Sequence, residues 1–196
     1  MKKLYHGSIY VFETIDLQKG KGYKDFGKGF YATAIQRHAD SIAKRNKQIA
    51  EQKEETIRRK NKAYKKKIYY PYRYNLEFDD SCLTDGSLEV LIFEKADIEW
   101  VKFILANRKS SKTTHNYDIV IGPTADENTT TIINNYKEEL IRSDYSNKVL
   151  ERLIRELQPE NLPKQYFFGT DRALKYLKFA RIRKEIVSWW ERIALI

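Results

Sequence analysis

Apolar and polar residues change rhythm several times along this chain, and each change marks a candidate element. Residues 3–12 (KLYHGSIYVF) are rich in Tyr, Val, Ile and Phe and read as a strand running into a turn at Gly7-Ser8. Residues 18–29 carry Gly20, Gly22, Gly27 and Gly29, a loop whose backbone can come close to something else. Phe30-Tyr31-Ala32-Thr33 is a short second strand, with Thr33 placed to cap a helix that starts near Ala34. That helix runs through Gln36, His38, Ala39 and Ala43 to about Lys67. Beyond Lys44 its apolar positions thin to Ile49, Ala50, Ile57, Ala63 and Tyr64. So polar a helix stands off the body or lies on a partner. Residues 40–68 are therefore read as a charged helical insertion within a single domain, 1–196.

Ile68 to Phe78, with Tyr69, Tyr70, Tyr72 and Tyr74, reads as strand, and so does Leu88 to Phe93. Residues 98–107 (IEWVKFILAN) predict a short amphipathic helix with Trp100, Phe103 and Ile104 on one side. Asp118 to Pro123 is a buried strand ending in a turn. Thr129 to Arg142 and Asn147 to Leu157 have helical patterns, and Pro159 and Pro163 end the second. Gln165-Tyr166-Phe167-Phe168 is a further strand. Thr170 or Asp171 then caps a final helix carrying Leu174, Leu177 and Ile182, with Trp189-Trp190 near its end. Strands and helices intermix without strict alternation, which predicts an α+β class.

Composition narrows the function classes. The 196 residues suffice for one domain, or one domain with an insertion, and 41% are hydrophobic. No apolar run approaches the ~20 residues that span a bilayer, and polar residues interrupt the N-terminus too early for a secretory signal. The expectation is a cytoplasmic protein without a membrane partner. Cys82 stands alone, so no internal disulfide forms. Three scattered histidines and one cysteine give no metal-ligand spacing, and no metal cofactor is expected. The glycine loop lacks the spacing and the βαβ setting of a dinucleotide-binding fold. A net charge of +10 favours polyanions such as RNA, DNA or an acidic protein. The plainer alternative is a solvated charge run, because much of the excess lies between Lys44 and Lys67.

Three segments carry candidate chemistry: Tyr5-His6-Gly7-Ser8, then Asp25-Phe26-Gly27-Lys28-Gly29-Phe30-Tyr31-Ala32-Thr33, then Gln165-Tyr166-Phe167-Phe168. Together they resemble the histidine and tyrosine motifs of the ADP-ribosyltransferase superfamily, in its diphtheria-toxin and poly(ADP-ribose) polymerase branch. With "YDIVIGPTAD" and "QYFFGTDRALKYLKF" the chain resembles, nearly end to end, a bacterial domain-of-unknown-function family of that clan.

The resemblance implies two apposed small β-sheets forming an NAD cleft, with peripheral helices. It implies NAD⁺ as co-substrate and no metal. His6 would donate to a ribose hydroxyl of the adenosine half, and Gly7 would offer its backbone to the nicotinamide amide. Tyr31 would stack on the nicotinamide ring. The third catalytic position departs from the commoner Glu. Gln165 would accept from the ribose 2′-hydroxyl as positive charge develops on the sugar. Lacking charge, it favours transfer of one ADP-ribose over chain elongation, and it leaves Asp126 or Glu127 open as an alternative carboxylate. Ser8, Gly29, Phe30 and Thr33 complete the binding set. Asp25 either holds the glycine loop in a turn or binds substrate. His38 either faces the cleft or is a plain surface histidine. The implied activity is mono-ADP-ribosyl transfer to a macromolecular acceptor, nucleic acid favoured over protein. The implied setting is a toxin of a toxin–antitoxin or anti-phage system, with a cognate antitoxin as a partner. The alternative is a catalytically inactive module of the same fold that binds nucleic acid or a protein through the charged helix.

Overall fold

The computed structural model describes residues 1–125, 127–157 and 162–184. They form seven strands and six helices: β1 (Lys2–Ser8), β2 (Phe30–Thr33), α1 (Gln36–Lys60), β3 (Tyr72–Phe78), β4 (Val90–Ile92), α2 (Ile98–Arg108), β5 (Ile119–Pro123), α3 (Glu127–Asn135), α4 (Lys137–Arg142), α5 (Asn147–Leu157), β6 (Lys164–Phe168), α6 (Asp171–Leu174) and β7 (Leu177–Lys184). The class is α+β, with β4–β5 parallel and β1–β2, β1–β3, β3–β7 and β5–β6 antiparallel. The chain divides into two units: residues 1–14, 32–80 and 177–196, and residues 15–31 and 81–176.

In the first unit the strand order is β2-β1-β3-β7. β1 and β3 are antiparallel in register from Lys2↔Phe78 to Ser8↔Tyr72. Along β3, Tyr74, Leu76 and Phe78 are buried, the period-2 stripe of one sheet face. α1 lies on β1 and β3 through Ala39 and Ala43, both fully buried. The small residues set how close it comes. A Cβ on Gly7 would sit 2.0 Å from the Ala39 carbonyl oxygen and 2.9 Å from the Ala43 nitrogen. The helix also brings Asp40 onto buried Arg73, whose Nη1 donates to both carboxylate oxygens at 2.7 and 2.6 Å. Arg73 Nε donates to Asn75 Oδ1 at 3.2 Å, so the guanidinium is held from two sides.

After Lys60 the chain folds back along α1. Glu54 accepts from the Lys67 amide at 3.1 Å and from the Tyr69 hydroxyl at 3.0 Å. These donors, the Lys67 amide foremost, hold its carboxyl below the usual range. Next to it, Lys66 and then Arg58 hold Glu55 down at about 2.

The second unit carries the order β4-β5-β6-β2. β4 and β5 are parallel, β5 and β6 antiparallel. Every residue of β5 is buried, as expected of a strand covered on both faces. Phe26, Phe93, Trp100, Ile104, Leu150 and Phe167 belong to one buried cluster. Asp97 caps α2 by accepting from the Trp100 amide at 3.0 Å.

Several expectations change. β2 is hydrogen-bonded on both sides, so the strands follow one order in place of two apposed sheets. The start of α1 is structural core, and the helix ends at Lys60, before the expected Lys67. Thr33 does not cap it: Ile35 holds the N-cap position, and Thr33 Oγ1 accepts from the Ile35 amide at 3.2 Å one turn earlier. Residues 129–142 divide into α3 and α4. The largest change is at the end of the chain. Thr170 does cap a helix, but α6 stops at Leu174, and residues 177–184 form β7, antiparallel to β3. Leu177, Phe179 and the residues between them alternate apolar and polar, and the open side of β3 decides for strand. Trp189 and Trp190 lie outside the described residues.

Gly7→Ala should destabilise the protein by more than the ~1–3 kcal/mol of ordinary overpacking, because the added methyl meets backbone, which cannot rotate away. Asp40→Ala should cost ~3 kcal/mol by stranding a buried guanidinium. Urea unfolding of both variants measures this, and wild-type midpoints would show that α1 does not depend on these contacts.

Candidate functional site

Within the second unit, one carboxylate gathers the polar groups. Asp25 Oδ1 accepts from Arg108 Nε at 2.8 Å. Its Oδ2 accepts from Gln165 Nε2 at 3.0 Å and from the Ala125 amide at 3.2 Å. Arg108 Nη2 donates onward to the Ala125 carbonyl at 3.3 Å and to Thr130 Oγ1 at 3.2 Å. Gln165, only 8% exposed, also donates from Nε2 to the Pro123 carbonyl at 3.3 Å. Two acceptors on one side fix which end of this amide is nitrogen. Gln165 Oε1 therefore points the other way, and among the described residues it has no hydrogen-bond partner.

Tyr31 is held just as firmly. Its hydroxyl accepts from the Phe26 amide at 3.1 Å and donates to the Gly27 carbonyl at 2.7 Å. Burial and then the Asp25 charge push its phenol well above the ordinary range. The hydroxyl is thus committed to the backbone of its own loop, and the ring packs against the buried cluster. That ring meets Phe167 edge-on, with centroids 5.2 Å apart. Gln165 and Phe167 are two apart on β6 and share one face of the sheet. Tyr31 packs on that same face.

The glycine loop is pinned by residues 107–117. Lys28 N donates to Thr113 Oγ1, which donates back to the Lys28 carbonyl, both at 3.0 Å. Gly27 has φ +92°, and a Cβ on Gly29 would lie 2.3 Å from the Phe167 ring. The close approach expected of the glycines is thus made to the protein's own chain. His115 Nδ1 accepts from the Tyr117 amide at 3.1 Å, so Nε2 carries the proton and donates to the Phe26 carbonyl at 2.9 Å. Burial lowers its pKa.

The remaining predicted residues fall as follows. Phe30 is buried, its ring 6.4 Å from Phe168. Glu127 opens α3, and Asp126 lies outside the described residues. His6, Gly7, Ser8, Thr33 and His38 belong to the first unit. There His6 lies 5.9 Å from the ring of Phe12 and 6.2 Å from that of Tyr74. Gly7 makes room for α1, and buried Ser8 accepts from the Tyr10 amide at 3.0 Å. Thr33 is buried, and His38 is half-buried on α1. Of the two roles open to Asp25, the loop-holding one is visible, and it extends to α2 and β6. Arg108 and His115 escaped the sequence reading. Nothing local marks an arginine at the end of an amphipathic helix, or a histidine in a polar loop, as a half-buried partner of residues some 80 positions earlier.

An open cavity of about 560 Å³ in the second unit is lined by Asp16, Gln18, Lys28, Lys112, Thr113 and Thr170, among others, and includes none of the residues expected to bind NAD⁺. Among the described residues no cluster of His, Cys, Asp and Glu could hold a metal, and no helix is long and apolar enough to cross a membrane.

Sequence comparison places this α+β chain in a family. Residues 2–179 match the family described as "Protein of unknown function (DUF3990)", and the chain belongs to it. No curated protein and no solved structure matches.

His115 generates a pH dependence. Its folded pKa lies below the ordinary 6.5, so the native state resists a proton that the unfolded chain accepts. Its contribution is therefore complete above pH 6.5 and is lost as pH falls from there towards the folded pKa. His115→Gln should be less stable at neutral pH, with a flatter stability profile through the weakly acidic range. An unchanged profile in that variant would place the imidazole in water.

Proposed function

We propose that this protein is an NAD⁺-dependent mono-ADP-ribosyltransferase acting on a macromolecular acceptor. The observation that carries the reading is the fixed amide of Gln165, its oxygen turned away from Asp25, on the same face as a Tyr31 ring whose hydroxyl is already satisfied. A fixed acceptor and an aromatic platform are what cleavage of a nicotinamide–ribose bond asks of a protein. The ring stacks on nicotinamide. The amide oxygen accepts from the ribose 2′-hydroxyl and stabilises the oxocarbenium-like sugar as the bond lengthens. The electron pair of the C1′–N bond leaves with nicotinamide. An acceptor lone pair then bonds to C1′, and the acceptor's proton goes to solvent. A toxin under the control of an antitoxin is the setting in which such an activity fits.

Nicotinamide release from NAD⁺ by the full chain tests this. Gln165→Ala should lower turnover by about 10²-fold or more, the scale of one transition-state hydrogen bond. Tyr31→Ala should abolish it. Tyr31→Phe should retain most turnover while losing ~1–3 kcal/mol of stability, because only the buried hydroxyl goes. No release by the wild-type protein would make this an inactive member of such a fold. Full activity in Gln165→Ala with none in Glu127→Ala would move the role to the loop carboxylate.

A further inference from the structure

The charge of this chain is concentrated to a degree that composition alone hides. Residues 36–70 contain twelve Lys and Arg against four Asp and Glu, which is eight of the chain's ten net positive charges. All four carboxylates are engaged locally. Asp40 takes Arg73, Glu51 takes Lys47, Glu54 takes the Lys67 amide and Tyr69, and Glu55 takes Lys66 and Arg58. Glu54 and Glu55 hold the returning segment 61–70 against α1, and most of the other cations of 36–70 are exposed. Lys60, Lys62, Lys65 and Lys67 are exposed.

The same segment presents rings and apolar surface among those cations. Tyr69 turns to Glu54, while its neighbours Ile68 and Tyr70 are 76% and 40% exposed. Tyr10, 65% exposed, is held to β3 of the same unit by its carbonyl, which accepts from the Tyr74 hydroxyl at 3.2 Å. Exposed aromatics among lysines suit a polymer that carries both phosphates and accessible base faces. A duplex keeps its bases stacked, and an acidic protein brings charge without the bases.

We propose that α1 and the returning segment 61–70 form a binding surface for single-stranded nucleic acid, with Lys62, Lys65 and Lys67 on phosphates and Tyr70 and Tyr10 stacking on bases. Binding stands independently of NAD⁺ cleavage; its use in presenting an acceptor rests on the transferase reading. The test is fluorescence anisotropy of the full chain, without NAD⁺, on a labelled single-stranded oligouridine, its DNA counterpart and a duplex, from about 50 to 200 mM salt. Binding should be tighter to both single strands than to duplex and should weaken steeply with salt. The triple variant K62Q/K65Q/K67Q should bind at least ~10-fold more weakly, with a log–log salt slope shallower by about 2, since each phosphate contact on a single strand contributes about 0.7. Y10S/Y70S should also lose ~10-fold, with its slope unchanged. A control triple variant in the second unit, K19Q/K21Q/K24Q, should bind as wild type. Nicotinamide release, measured separately, should persist in all three, so absent cleavage and absent binding are separate failures. Wild-type binding by the first variant, an equal loss in the control, tighter binding to duplex, or equal competition by polyglutamate would each overturn the proposal.

Discussion

The second unit depends on a single carboxylate. Asp25 accepts from Arg108 at the end of α2, from the Ala125 amide after β5, and from Gln165 on β6. Its own loop also carries the backbone groups that hold the Tyr31 hydroxyl. Three segments distant in sequence from Asp25 thus converge on its carboxylate by hydrogen bonds. A buried charge without such partners would be costly, and removing one partner leaves the others uncompensated. The network therefore specifies one arrangement of loop, helix and strand, and it accounts for an amide at position 165. A glutamate there would set a second carboxylate against the first. The amide donates where Asp25 needs a donor, and its oxygen is turned away from that carboxylate.

The first unit solves a different problem. Its long helix has too few apolar residues to be held by burial along its length, so only the first turns are packed, where Ala39 and Ala43 meet Gly7. Beyond them the helix relies on polar ties: Asp40 to Arg73, then Glu54 and Glu55 to the returning chain. This division explains why the segment looks like an excrescence in sequence and yet begins in the core. It also explains why Asp40, Glu54 and Glu55 turn to the protein while most of the surface is left to lysine and arginine.

Much of this was legible in the residues. The strands at 30–33, 72–78, 119–123 and 164–168, the helices at 98–108 and 147–157, and the α+β class follow from local periodicity and turn chemistry. The illegible features are set by distant neighbours. β7 is amphipathic enough to suit a helix and becomes a strand because β3 offers it an edge. The glycines around Tyr31 announced a close approach but not its objects, which are Phe167 for Gly29, Thr113 for Gly27 and Ser111 for Gly22. At the site, Tyr31 and Gln165 were singled out by motif, whereas Arg108 and the central place of Asp25 depend on contacts 83 and 140 positions away. No local pattern encodes such a pairing.

The most direct test of this account is a double-mutant cycle on Asp25 and Gln165, read by unfolding free energy and by NAD⁺ cleavage. Gln165→Glu places two carboxylates at hydrogen-bond distance, where both cannot ionise freely, and should cost ~1–3 kcal/mol. Adding Asp25→Asn reverses the polarity of the pair, with the donor now on residue 25. It should recover much of that loss, a coupling above ~1 kcal/mol, and restore part of the activity. If Gln165→Glu is as stable and as active as wild type, with no coupling to Asp25→Asn, then Asp25 does not dictate the amide and the account is contradicted.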